Sequence, residues 1–97
     1  MRHEIILAPE AVADLNKLEA YQRSVVRDAL ETHLRFEPEK QSKSRIKRLK
    51  GLKQPQFRLR VDDIRIFYDV LKNRVEILAV VTKDQAQKWL DQKGEKI

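Results

Sequence analysis

Three arginines lie close to a two-residue turn, at a spacing that can bind a phosphate. Arg58 and Arg60 alternate with apolar residues, and Arg65 follows the pair Asp62-Asp63. If the two acidic residues form a tight turn, the antiparallel register places Arg60 directly opposite Arg65. Like charges in that position destabilise a sheet by about 0.2–1 kcal/mol. The planar guanidinium group matches phosphate oxygens, so the arrangement predicts a phosphate between the arginines.

Two structural alternatives to the phosphate stay open. An acid on the same sheet face, such as Glu76 or Asp69, can neutralise the arginines. A different strand register would also separate Arg60 from Arg65. The arrangement of the strands therefore decides whether the cluster is a binding site.

The positive charge of the chain is concentrated around these arginines. The net charge is +6, but residues 40–60 hold nine cations and no acid, whereas the rest of the chain holds 12 cations and 15 acids. Besides Arg58 and Arg60, the cations of this basic segment are Lys40, Lys43, Arg45, Lys47, Arg48, Lys50 and Lys53. Such an asymmetry indicates a polyanionic partner, most often nucleic acid. A basic loop that only improves solubility is the alternative.

The sequence offers little for other chemistries. His3 and His33 are far apart, the chain has no cysteine, and its two glycines cannot form a glycine-rich phosphate loop. We therefore expect no metal site and no cofactor. The absence of cysteine suits a reducing cytoplasm. The start MRHEIILAPEAVADL does not resemble a signal peptide, and no apolar run reaches the length of a membrane span.

The first half of the chain is predicted to be mainly helical. A short strand over 3–7 precedes a helix that begins at Pro9. A second helical pattern runs from Tyr21 to Leu34 and ends before Pro38. Whether these are one helix or two is open, because no Gly or Pro marks a break. Residues 39–54 have no clear period and are predicted to form a loop or a short irregular element.

The second half is predicted to be a three-stranded antiparallel meander over 57–61, 64–71 and 75–81, with two-residue turns at 62–63 and 72–73. A short helix over 85–90 follows, with Gly94 as its stop. The fold class is therefore α+β, in which a short N-terminal strand and one or two helices precede the meander and the C-terminal helix, all in a single domain over 1–97.

The predicted register gives the sheet one apolar face, which we expect the helices to cover. It pairs Ile64, Ile66, Tyr68 and Val70 with Val81, Ala79, Ile77 and Val75. The opposite face carries the arginines together with Phe67, Leu71, Leu78 and Val80. Either a partner protein or the C-terminal helix can cover these four apolar residues.

The run RLKGLKQPQFRLRVDDIRIFYDVLKNRVEILAVVTK resembles the core signature of the RelE/ParE toxin superfamily. The shared features are the LKGL element, FRLRV, a tight turn, IRIFYDV and a hydrophobic last strand. The opening APEAVADLNKL is similar to the first helix of that family. The resemblance extends over nearly the whole chain and depends on the order and spacing of several motifs.

The resemblance implies a toxin of a type II toxin–antitoxin system that cleaves ribosome-bound messenger RNA without a metal and so inhibits translation. Arg58 and Arg60 match two basic positions on the first meander strand, and Arg65 matches the arginine that stabilises the transition-state phosphate. Lys83 falls near a basic position after the last strand, and Trp89 near an aromatic that is often Tyr. The implied RNA- or ribosome-binding residues are the other cations of the basic segment, Lys40, Lys43, Arg45, Lys47, Arg48, Lys50 and Lys53.

Two departures from the family pattern affect proton transfer. Arg replaces Lys at positions 58 and 60, and arginine is a poor proton acceptor because its pKa exceeds about 12. Trp89 can stack on a base but has no phenolic proton to exchange. Electrostatic stabilisation by Arg60 and Arg65 survives both changes.

The resemblance also implies partners and alternatives. The partners are a cognate antitoxin protein, the ribosome and messenger RNA, and a toxin–antitoxin hetero-oligomer can bind operator DNA. No membrane partner is expected. The main alternative is an inhibitor of DNA gyrase that acts through protein contacts, as in the ParE branch. A catalytically attenuated family member, kept for partner binding, is a further alternative.

Overall fold

The computed structural model describes residues 2–97 and has the predicted α+β architecture. The strands are β1 (Glu4–Leu7), β2 (Ile46–Arg48), β3 (Leu52–Gln54), β4 (Phe57–Val61), β5 (Ile64–Leu71), β6 (Arg74–Thr82) and β7 (Glu95–Lys96). The helices are α1 (Pro9–Lys17), α2 (Ala20–Leu34) and α3 (Lys83–Lys93). No helix in the described part of the chain is long and apolar enough to cross a membrane.

The main sheet has five strands in the order β1-β6-β5-β4-β2. The predicted meander forms its centre, β1 pairs in parallel with β6, and β2 pairs antiparallel with β4. Strands β3 and β7 form a separate two-stranded sheet. The prediction of a loop over 39–54 was therefore incomplete, because β2 and β3 lie within it. Each has only three residues, too few to show a period, and both depend on partners elsewhere in the chain.

Both two-residue turns are confirmed. Asp62 has φ 51° and Asn73 has φ 62°, the left-handed region that Asp and Asn tolerate best among non-glycine residues. The β4–β5 register is also as predicted, with Arg60 opposite Arg65. The predicted β5–β6 register is confirmed for Tyr68 and Val70, which pair with Ile77 and Val75. It is wrong for the residues before Tyr68, because a bulge between Phe67 and Tyr68 pairs Ile66 with Val80 instead of Ala79. Val80, which the sequence placed on the face of the arginines, consequently joins the core on the sheet face that α1 and α2 cover.

The N-terminal helices are two rather than one. Leu18 ends α1, and Glu19 opens α2 with a capping box in which the Gln22 side chain accepts a hydrogen bond from the Glu19 amide at 3.3 Å. Arg23 Nη1 donates to the Leu18 carbonyl oxygen at 2.7 Å and so satisfies a group at the break. A capping box therefore accompanies the break between α1 and α2, which no Gly or Pro marks in the sequence.

The helices lie on both faces of the sheet, so of the two covers that the sequence left open for the second face, the structure has the C-terminal helix. On the inner face, α1 and α2 bury a core that includes Leu15, Leu30 and Ile66. On the outer face, the Trp89 indole of α3 stacks on the buried Phe67 ring, with 5.0 Å between ring centroids and 9° between planes. Phe67 is therefore covered by the protein's own C-terminal helix.

Tyr68 connects the inner core to the segment after α2. Its ring is fully buried against Phe57, and its hydroxyl donates to the Pro38 carbonyl oxygen at 2.7 Å. Burial, with a smaller effect of Glu39, raises the pKa of Tyr68 above its ordinary value, so the hydroxyl keeps its proton.

Tyr68→Phe is expected to lower the free energy of unfolding by about 1–2 kcal/mol, because it leaves the Pro38 carbonyl without its donor. Urea unfolding measures the change. Tyr21→Phe is the matched control, since Tyr21 is 66% exposed and its hydroxyl makes none of the hydrogen bonds in the described chain. Equal stability of the two variants would show that the Tyr68 hydrogen bond does not stabilise the fold.

Candidate nucleic-acid interface

A cationic groove of about 360 Å³ crosses the outer face of the sheet, and we call it the basic groove. It is lined by Lys47, Arg48, Leu49, Lys50, Arg58, Arg65, Phe67, Ala86, Gln87 and Leu90. Five of these ten residues are cations and none is an acid. Side chains from β4 and β5 lie between the β2 edge on one side and α3 on the other. A groove with this lining is suited to an anionic ligand.

Strand pairing brings the cations of the groove together. Lys47 lies opposite Arg58, which lies opposite Phe67, and Arg60 lies opposite Arg65. Residues on one face alternate along a strand, so Arg58 and Arg60 share the outer face. The tertiary structure therefore assembles the three arginines that the sequence singled out, with Arg60 exposed at the end of the cluster.

The acids that could have neutralised the arginines do not do so. Asp69 is buried and accepts hydrogen bonds from Gln54 Nε2 at 2.6 Å and from the Gln56 amide at 2.8 Å. Among residues 2–97, none of the salt bridges involves Glu76 or an arginine of the cluster. The positive charge of the groove is therefore uncompensated within the described chain.

The surroundings of Arg58 disfavour the charged form of its guanidinium group. Burial lowers the pKa of its guanidinium, and the charges of Arg65 and Arg60 lower it further. Its Nε atom is buried and has no hydrogen-bond partner among the described residues. A buried donor without a partner is costly, by about 1–3 kcal/mol or more for a charged group. An anion in the groove would relieve both the repulsion and the unpaired donor.

Arg65 is positioned by the β4–β5 turn. Its Nη1 atom donates to the Asp62 carbonyl oxygen at 2.8 Å and to the Ile64 carbonyl oxygen at 3.1 Å. These bonds use only part of the guanidinium, which has five donors in all. The remaining donors are available to a ligand in the groove.

Lys83 and Trp89, the other two predicted catalytic residues, do not line the groove. The Lys83 ammonium lies 3.7 Å from Asp63 Oδ1, and its amide donates to the Asp63 carbonyl oxygen at 2.7 Å. Trp89 stacks on Phe67 and donates from Nε1 to Glu10 Oε1 at 3.0 Å. In this structure both residues attach α3 to the rest of the fold.

The seven other cations of the basic segment fall into separate places. Lys47, Arg48 and Lys50 line the groove, and the Arg48 guanidinium also lies 5.2 Å from the centre of the Phe57 ring. The remaining four are exposed away from it, Lys40 and Arg45 in a second pocket and Lys43 and Lys53 outside both. The structure therefore brings three of the seven to the arginines.

The second pocket, between the end of α2 and the following loop, is less cationic. Lys40 pairs there with Glu37 at 3.8 Å. Burial, and to a smaller extent the charge of Arg45, lowers the pKa of His33, so this histidine is neutral at physiological pH. The pocket thus holds fewer uncompensated charges than the basic groove.

Sequence reasoning left open whether α3 covers the outer face, and it did not identify the α3 residues that form a wall of the groove. Ala86, Gln87 and Leu90 line the groove, although the sequence predicted only that a helix would be present there. The spacing of Ala86 and Leu90 by four residues signals a common helix face, but the face of the sheet that the helix covers is not encoded in that spacing.

Comparison with known proteins agrees with this architecture. Residues 5–87 match the family model of the ParE toxin of the type II toxin–antitoxin system parDE. The fold is similar to that in the RelBE2 toxin–antitoxin complex of Mycobacterium tuberculosis, at 23% identity and a TM-score of 0.68, covering 84% of this chain and 99% of that one. It is also similar to the archaeal RelE–RelB complex of Pyrococcus horikoshii OT3, at 24% identity and a TM-score of 0.64, covering 86% and 97%. No curated protein sequence gave a significant match.

Proposed function

Since this chain belongs to the ParE toxin family of type II toxin–antitoxin systems, we propose that it inhibits translation in the cytoplasm by cleaving ribosome-bound messenger RNA. The observation that carries the proposal is the basic groove, whose lining has five cations and no acid, and in which the Arg58 Nε atom has no partner among residues 2–97. RNA places phosphates at regular intervals along a strand, so it matches a groove lined in this way.

The chemistry needs a site that stabilises negative charge on phosphorus. In the proposed reaction the ribose 2′-oxygen forms a bond to the neighbouring phosphorus, and the bond from phosphorus to the 5′-oxygen breaks, which leaves a cyclic phosphate. Arg58 and Arg65 contact the non-bridging oxygens, whose charge grows in the transition state. Donors fixed in advance at such a position commonly supply the largest part of a rate enhancement. Arg60, at the exposed end of the cluster, binds an adjacent phosphate.

An antitoxin partner follows from the family and suits this surface. The similar solved structures from M. tuberculosis and P. horikoshii are toxin–antitoxin complexes. We propose that this chain acts as one domain. We also propose that a cognate antitoxin with an acidic segment covers the basic groove and blocks access of RNA. Such a toxin–antitoxin hetero-oligomer can also bind operator DNA.

The test is primer extension on a defined messenger RNA in a purified translation system, with and without ribosomes. Cleavage within codons only when ribosomes are present is the expected result. The double variant Arg58→Ala/Arg65→Ala, confirmed as folded by circular dichroism, serves as the control and should leave the messenger intact. Intact messenger with the wild-type protein, while toxicity in cells persists, would overturn the ribonuclease proposal.

Inhibition of DNA gyrase is the second candidate, and two observations favour it. The first is that the matching family model is that of the ParE toxin. The second is that Lys83 and Trp89, two of the catalytic residues implied by the resemblance to the ribonuclease branch, lie outside the basic groove and so are not placed to transfer protons there. A supercoiling assay with purified gyrase separates the two candidates. Inhibition of supercoiling together with intact messenger would mean that the arginines bind a protein partner. If the protein neither inhibits gyrase nor cleaves messenger, it is an attenuated family member.

A further inference from the structure

The proposed cleavage needs a proton donor for the departing 5′-oxygen, and the lining of the basic groove restricts the choice. Its ionisable side chains are all lysine or arginine. Arginine holds its proton too tightly to exchange it at neutral pH, because its pKa exceeds about 12. Lysine, by contrast, can deliver a proton to an alkoxide and take it back from water. Only Lys47 and Lys50 of the groove meet this requirement.

Strand pairing distinguishes Lys47 from Lys50. Lys47 lies in β2 directly opposite Arg58, whereas Lys50 lies with Gly51 in the turn after β2. The buried Ile46 side chain holds β2, and the Leu49 amide donates to the Gln56 carbonyl oxygen at 2.9 Å. Lys47 therefore projects from an anchored strand beside the arginine that we assign to the phosphate. The anchored backbone keeps the exposed Lys47 side chain on the same sheet face as Arg58, next to the position that we assign to the phosphate, as a proton donor requires.

The Lys47 ammonium is also free to act. Within residues 2–97 it takes part in no salt bridge, and the groove residues that surround it are uncharged or cationic. No carboxylate of the groove therefore competes with the substrate for its proton. An ammonium with these neighbours is attracted only to the anionic substrate or to water.

We propose that Lys47 is the general acid of the cleavage reaction, an inference that rests on the proposed function. As the 2′-oxygen bonds to phosphorus, its proton passes to hydroxide or water of the solvent. As the bond between phosphorus and the 5′-oxygen breaks, the Lys47 ammonium gives one proton to that oxygen, and the product leaves as a 5′-hydroxyl. Solvent water then returns a proton to the neutral amine.

A substrate with sulfur in place of the 5′-oxygen tests this role. A thiolate is a far more stable leaving group than an alkoxide, so it departs without a proton donor. The experiment measures single-turnover cleavage of both messengers on programmed ribosomes at saturating toxin. For Lys47→Arg, which keeps the charge, we expect about a 10²-fold loss of rate on the oxygen substrate and about threefold or less on the sulfur substrate.

Two variants serve as comparators. Lys50→Arg should change the rates on both substrates by the same factor, because that residue only binds. Lys72→Arg, in the β5–β6 turn and outside the groove, should leave both rates unchanged.

The outcomes separate the two proposals. If Lys47→Arg is slowed equally on both substrates, or on neither, the general-acid role is overturned while the ribonuclease activity stands. A wild-type protein that cleaves neither substrate overturns the proposed function, and the assignment of Lys47 falls with it.

Discussion

Arg65→Ala is expected to abolish toxicity in cells and to slow messenger cleavage by about 10²–10³-fold, because it removes a fixed donor from the transition-state phosphate. The fold should persist. The variant loses the hydrogen bonds to the Asp62 and Ile64 carbonyl oxygens, but the turn is exposed to water and the repulsion with Arg58 and Arg60 is relieved. The net change in the free energy of unfolding should therefore be about 1 kcal/mol or less.

Two further variants sharpen this test. Arg65→Lys keeps the charge but loses the planar fork, so it should recover only part of the activity. Arg74→Ala, at the opposite end of the sheet from the β4–β5 turn, is the matched control and should remain toxic. Growth arrest after induction, with circular dichroism of the purified proteins, measures both effects. A folded and fully toxic Arg65→Ala protein would contradict the assignment of a phosphate site to the basic groove.

Phe67→Ala should lower the free energy of unfolding by about 3–5 kcal/mol, the usual range for a buried phenylalanine. The Phe67 ring projects from β5 beneath α3, where it is fully buried and stacks on Trp89. Helix α3 has no buried residue of its own, so loss of the ring on which Trp89 stacks should loosen its packing against the sheet. Urea unfolding measures the loss, and hydrogen exchange should show α3 opening before the strands.

The matched control for this stability test is Phe36→Ala. The Phe36 side chain is 60% exposed, so its removal should change the free energy of unfolding by about 0.5 kcal/mol or less. A double-mutant cycle with Trp89→Ala isolates the stacking energy, which should be about 0.5–1.5 kcal/mol. Equal effects of Phe67→Ala and Phe36→Ala would contradict the packing of α3 over the outer face.

The consequences of the Phe67 variant extend to the site. Phe67 lines the basic groove, and α3 provides the wall that includes Gln87. A loosened α3 would widen the groove without changing any of its cations. We therefore expect Phe67→Ala to reduce cleavage as well as stability. Cleavage should fall because the widened groove holds the RNA less firmly.

The local pattern of the sequence determined the central meander and the arginine cluster on it. Alternation of apolar and basic residues in β4, two turns that accept positive φ, and the β-branched runs of β5 and β6 depend only on neighbours along the chain. Such short-range signals were sufficient to place Arg60 opposite Arg65 correctly. The concentration of positive charge in residues 40–60 was equally visible without a structure.

Contacts between distant residues decided the rest. The three residues of β2 become a strand only because β4 offers an open edge, and this pairing brings Lys47 to Arg58. Burial of Phe67 beneath Trp89 places α3 on the outer face, which gives the groove its second wall and keeps Trp89 out of it. The bulge beside Tyr68 moves Val80 into the core. A short segment gains most of its stability from burial against partners far away in the chain, so its local sequence cannot specify where it packs.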